Sequence, residues 1–102
     1  MKAIIWGCGD FGRRVLPNLI AQEEYEVVAY TDSNESMWGQ RLLSFPIIRP
    51  EQILEKEFDV LMIVVSSSCS VKQIKDYALR LNIPKEKVID VFLDVRFMDL
   101  FV

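Results

Sequence analysis

The sequence predicts a doubly wound α/β domain, a parallel sheet with helices on both faces. Three stretches carry that expectation. Gly7-Cys8-Gly9-Asp10-Phe11-Gly12 has the spacing G-x-G-x-x-G and lies between an apolar run, Ala3 to Trp6, and an amphipathic stretch. A second apolar run, Val27-Val28-Ala29-Tyr30, ends in Thr31-Asp32. A third, Val60-Leu61-Met62-Ile63-Val64-Val65, is continuous, the pattern of a central parallel strand buried on both faces. Strand, glycine turn, helix, strand, acid is the order of a dinucleotide-binding βαβ unit.

The elements follow in turn. The first strand covers Lys2 to Trp6. The first helix runs from Phe11 to Gln22, with Val15, Leu16, Leu19 and Ile20 as its buried stripe. Pro17 falls inside it, removes one hydrogen bond, and is expected to kink or shorten the helix. The second strand is Glu26 to Thr31. Ser33 to Ser44 is a long connection, in which Trp38 is expected to fold back onto the edge of the core. Phe45-Pro46-Ile47-Ile48 reads as a short third strand at the sheet edge. Pro50 suits the first position of a short helix through Lys56. Asp59 to Val65 is the fourth strand. The next helix spans Val71 to Leu81, burying Val71, Ile74, Ala78 and Leu81, with Ser70 and Gln73 as a capping box. Asn82 fits a left-handed cap, Pro84 stops any continuation, and Lys87 to Val91 is the last strand.

Right-handed crossovers give one domain with strand order 3-2-1-4-5. Residues 1–91 form it. Residues 92–102 are an apolar tail, expected to pack across a homo-oligomer, lead into a further domain, or lie back on the sheet. The ends of the first and fourth strands flank the switch-point crevice, so the glycine turn faces the loop Ser66-Ser67-Ser68.

Each residue of the turn has a physical task. Gly7 allows a tight exit from the strand, Gly9 leaves room for a phosphate, and Gly12 lets the helix pack closely. The helix start adds unpaired N–H groups and partial positive charge. Gly7, Cys8, Gly9, Asp10, Phe11 and Gly12 therefore form the expected phosphate site. Asp32 lies somewhat past the usual offset of about 20 residues for a ribose-binding acid. A carboxylate there repels a 2′-phosphate, which favours NAD over NADP. Asp32 with Ser33 forms the ribose wall, and Ser66, Ser67 and Ser68 the far wall. The plainer alternatives are a glycine turn kept for geometry, a turn-capping Asp32, and serines that satisfy backbone groups.

Composition narrows the function. The 102 residues carry 12 basic and 15 acidic side chains, net charge −3, with no basic stripe for nucleic acid. No apolar run approaches the roughly 20 residues of a membrane span, and a cytoplasmic location is expected. With no histidine there is no Ser-His-Asp triad, and two cysteines are too few for structural zinc. Cys8 and Cys69 are expected as free thiols. At a helix N-terminus the Cys8 thiol pKa should fall, giving a minor reading of a reactive cysteine. No Tyr-x-x-x-Lys pair occurs. The chain looks like an incomplete enzyme that needs another part to act on a substrate.

The run Ile4 to Arg13, then Tyr25 to Asn34, Trp38-Gly39, Phe45 to Ile48 and Ile83 to Ile89, resembles the Rossmann-type N-terminal domains of bacterial polysaccharide and nucleotide-sugar biosynthesis proteins. The resemblance implies a nucleotide site at the glycine turn, holding NAD(H) or a UDP-sugar. Acetyltransferase relatives often carry a histidine in this turn, and its absence from the chain speaks against acyl transfer. The expected function is a nucleotide-binding module. The alternatives are an assembly or docking domain with a degenerate site, and a small nucleotide-sugar oxidoreductase or epimerase.

Overall fold

The computed structural model describes residues 1–9, 12–14, 17–18, 21, 24–65 and 67–91. The expectations for Asp10, Phe11, Ser66, the buried stripe of the first helix and the tail 92–102 fall outside the described residues. Strands β1 (Lys2–Trp6), β2 (Glu26–Thr31), β3 (Arg41–Leu42), β4 (Phe45–Ile48), β5 (Val60–Ile63) and β6 (Val88–Asp90) form one sheet. The order is β3-β4-β2-β1-β5-β6. Every neighbouring pair is parallel except β3 with β4. The expected 3-2-1-4-5 order is present within it as β4-β2-β1-β5-β6, and the doubly wound Rossmann-like class holds.

The correction is at the edge. Phe45–Ile48 is not the last strand, because Arg41–Leu42 folds back against it in a two-residue hairpin. Leu43 (φ 48) and Ser44 (φ 73) both occupy the left-handed region that such a turn demands. Neither residue type favours that conformation, so the sequence carries no turn signal there.

Both faces of the sheet are covered. Ala3, Ile5, Val60 and Met62 point into one apolar cluster, whereas Ile4, Trp6, Leu61 and Ile63 point into the other. The alternation along these two strands, buried from Ala3 to Trp6 and from Val60 to Ile63, is what a sheet packed on both sides requires. The second cluster is closed by helix α1 (Ser68–Arg80), through Val71, Ile74 and Ala78, as its spacing predicts. At its end Asn82 has φ 65. Asn82 N–H donates to the Leu79 carbonyl (3.0 Å) and Ile83 N–H to Ala78 (3.1 Å), the paired bonds of a Schellman cap.

The start of α1 differs from expectation. The helix begins at Ser68, so Ser67 is the N-cap and accepts the Ser70 N–H at 3.4 Å. The short helix at Pro50 is a 3-10 helix, Pro50–Glu55. Residues 12–14 and 17–18 are helical, Pro17 included. No helix among the described residues is long and apolar enough to cross a membrane.

Candidate functional site

The glycine turn forms where β1 leaves the sheet. The ladder continues one step past the strands: Gly7 N–H donates to the Thr31 carbonyl (3.0 Å) and Val64 N–H to Trp6 (2.9 Å). Gly7 has φ +129, and a Cβ there would collide with the Val64 carbonyl oxygen. A Cβ on Gly12 would collide with the Gly7 carbonyl oxygen. Both glycines are therefore demanded by the fold, Gly7 by the close approach of the backbone at the end of β5 and Gly12 by that of Gly7 itself. Gly9 differs. It is exposed, its φ is not positive, and a Cβ would meet nothing within 4 Å. Its N–H has no protein partner among the described residues. Among the described residues, no contact explains a glycine at this position.

Asp32 is held against the turn. One carboxylate oxygen accepts the Cys8 N–H (2.8 Å) and the other accepts Asn34 N–H (2.9 Å). A carboxylate has about four acceptor positions, so each oxygen retains one for a ligand hydroxyl. Two tryptophans brace the same corner. Trp38 Nε1–H donates to the Asp32 carbonyl (2.7 Å), and Trp6 Nε1–H to Ser33 Oγ (3.1 Å). Trp38 is half-buried against the core, as expected. Arg13 adds a positive charge at the turn, its Nε–H donating to the Cys8 carbonyl at 2.9 Å.

These residues open onto a cleft of about 440 Å³. Gly7, Asp32 and Ser33 line one side of it; Ser70, Gln73, Ile74, Tyr77 and Arg80 of α1 line the other, with Trp6 and Val65 also lining it. The cleft brings together three of the sequence-predicted site residues. Ser67 is engaged as the helix cap, while Ser70 and Gln73, read as a capping box, face the cleft instead. The exchange follows from α1 starting three residues earlier, close to one full turn. Gln73, Tyr77 and Arg80 were missed; their i, i+4, i+7 spacing places them in a stripe beside the buried Ile74 and Ala78.

Tyr77 is held at both its hydroxyl and its ring face. Its hydroxyl donates to a Glu51 carboxylate oxygen, and Arg80 stacks over its ring at 5.3 Å. That bond lowers the Glu51 pKa and raises the Tyr77 pKa.

The Cys8 thiol behaves opposite to the helix-terminus expectation. Burial, then the neighbouring Asp32 carboxylate, push its pKa from 9.0 to about 12. Desolvation of a fully buried thiolate outweighs the helix start. In the folded protein at pH 8.5, iodoacetamide should therefore label exposed Cys69 and spare buried Cys8. The unfolded thiol ionises above about 9 while the folded one stays protonated. Stability that is intact below pH 9 should thus fall by up to about 1.4 kcal/mol per unit towards pH 12. Peptide mapping and pH-dependent urea melts check both; a Cys8 labelled as fast as Cys69 would reject the burial argument.

A family model described as C2185-like, N-terminal, matches residues 1–89. No curated protein matches. Among solved structures, the chain is similar to the UDP-D-quinovosamine 4-dehydrogenase from Vibrio fischeri, with TM-score 0.64 and 21% identity over 78% of this chain and 70% of that one. It is similar to RSP, a Rex-family repressor, with TM-score 0.61 and 18% identity over 80% of this chain. Another RSP structure holds β-NADH. The scyllo-inositol dehydrogenase from Lactobacillus casei, bound to NAD(H) and scyllo-inositol, matches 99% of this chain with TM-score 0.55 and 18% identity. The chain spans 41% of the length of RSP and 32% of the inositol dehydrogenase. These likenesses show a shared Rossmann-type fold.

Proposed function

We propose, from the premise that this chain belongs to the C2185-like N-terminal family, that it is a nucleotide-binding module whose ligand is NAD(H). The cleft carries the reading: the first glycine of the turn, Asp32 and Ser33 share one wall opposite α1. The pyrophosphate approaches Gly9, where no contact among the described residues needs the missing side chain. The adenosine ribose hydroxyls donate to the two open positions of Asp32, and Ser33, already accepting from Trp6, donates its own proton. The base packs over Val65 and Ile74 towards Tyr77, an apolar slot with polar groups at its rim. NAD(H) bound in fold relatives supports this ligand.

The module holds a nucleotide for chemistry completed by another part. Its association with nucleotide-sugar metabolism rests on the sequence resemblance and on the UDP-sugar dehydrogenase among the fold relatives. A thermal-shift series with NADH, NADPH, UDP-sugars and coenzyme A tests the ligand. NADH at 100 times its Kd should stabilise by about 2.7 kcal/mol, and NADPH by less, since Asp32 opposes its 2′-phosphate. A response to UDP-sugars alone replaces NAD(H) by the other nucleotide class. No response to any at millimolar concentration rejects the reading and leaves a docking domain.

A further inference from the structure

A closed circuit of side chains runs around the cleft, and three of its seven members, Trp38, Arg49 and Glu51, lie outside the cleft lining. Trp6 donates to Ser33, and its ring meets the Tyr77 ring edge-on, centroids 5.6 Å apart at 69°. Tyr77 donates to Glu51, and Glu51 pairs with Arg49 at 3.8 Å. The Arg49 guanidinium lies over the Trp38 ring at 5.1 Å, and Trp38 donates to the Asp32 carbonyl. The circuit begins and ends at Asp32 and Ser33, the adjacent residues assigned above to the ribose.

Glu51 is the closing piece. It belongs to the 3-10 helix Pro50–Glu55, on the crossover that follows β4, and lines no part of the cleft. An exposed ion pair such as Glu51 with Arg49 contributes little stability. Its hydrogen bond to Tyr77 does something else. It ties the outer end of a cleft-lining ring to a second element. Without it the ring keeps its packing on the core cluster, its edge contact with Trp6 and the stacked Arg80, but nothing holds its hydroxyl end out of the cleft. We propose that Glu51 is a positioning residue for the nucleotide: it holds Tyr77 against Trp6 and so keeps open the wall on which the base packs. This rests on the nucleotide reading given above.

The test compares Glu51→Ala, Glu51→Gln and Tyr77→Phe with the parent protein, using NADH as the probe. Glu51→Ala should weaken NADH by about tenfold, the scale of immobilising one side chain on binding. Glu51→Gln keeps an acceptor oxygen and should bind within about threefold of the parent. Tyr77→Phe should lose as much as Glu51→Ala, and the double variant no more than either alone. Without nucleotide, Tyr77→Phe should alter tryptophan emission, because Trp6 loses its fixed neighbour while Arg49 and Trp38 are untouched; Glu51→Ala should alter it at least as much, since it also releases Arg49 beside Trp38. Melting temperatures close to the parent separate positioning from unfolding. Parent binding with Glu51→Ala unchanged, or additive losses in the double variant, overturns this proposal alone. A parent that takes up no NADH overturns the nucleotide reading, and this one with it.

Discussion

Gly7→Ala should melt far below the parent protein, whereas Gly9→Ala should melt with it and fail to take up NADH. The two substitutions add the same methyl group two residues apart, and their surroundings decide the outcome. At Gly7 the chain has φ +129, and the new Cβ would lie closer than 3.0 Å to the Val64 carbonyl oxygen and 3.1 Å from a Val65 methyl. The Val64 backbone cannot yield, because it is tied to Trp6 in the parallel ladder. Backbone strain and backbone collision together place the cost at about 4 kcal/mol or more, a large share of the 5–15 kcal/mol of a typical domain. For a chain of this size that is about 16 °C or more in Tm. At Gly9 the methyl meets nothing within 4 Å and needs no unusual φ, so stability should change by less than about 0.5 kcal/mol. The same methyl stands where a pyrophosphate must approach the backbone. Calorimetric melts with and without NADH separate the effects. If Gly9→Ala binds like the parent, no phosphate sits on this turn.

That contrast also shows what a sequence can disclose. The spacing of Gly7, Gly9 and Gly12 implied three separate geometric tasks. The first and third are visible as backbone approaches to Val64 and Gly7. The alternating burial of β1 and β5 was legible because continuous Val and Ile runs suit only a strand covered on both faces. The β3–β4 hairpin was not legible. Leu43 and Ser44 adopt a turn for which glycine or asparagine is the usual signal. The start of α1 was ambiguous for another reason. Ser67 and Ser70 can each cap a helix, and local propensity does not rank them. Choosing Ser67 turned Ser70 and Gln73 towards the cleft. Glu51 and Tyr77 are 26 residues apart in sequence, and no local pattern joins them.

Asp32→Asn should weaken NADH strongly and NADPH much less, moving the ratio of their affinities towards one. In the parent, Asp32 has two duties that the substitution divides. Its oxygens hold the Cys8 and Asn34 N–H groups at 2.8 and 2.9 Å, shaping the corner between the glycine turn and the end of β2. Asparagine keeps one acceptor oxygen, so one of these N–H groups loses its partner. Water reaches this corner, which puts the cost to stability at about 1 kcal/mol. The second duty is towards the ligand. Losing charged acceptors for the ribose hydroxyls is worth about 1.5–3 kcal/mol, or roughly 10- to 100-fold in Kd for NADH. For NADPH the same loss is offset by removing the repulsion between carboxylate and 2′-phosphate. Titrations of both cofactors at fixed ionic strength read the ratio directly, with Trp6 beside the site as an internal reporter. Equal weakening of the two would mean that Asp32 acts only by shaping the turn, and the ribose assignment would fall while the phosphate site at Gly9 stood.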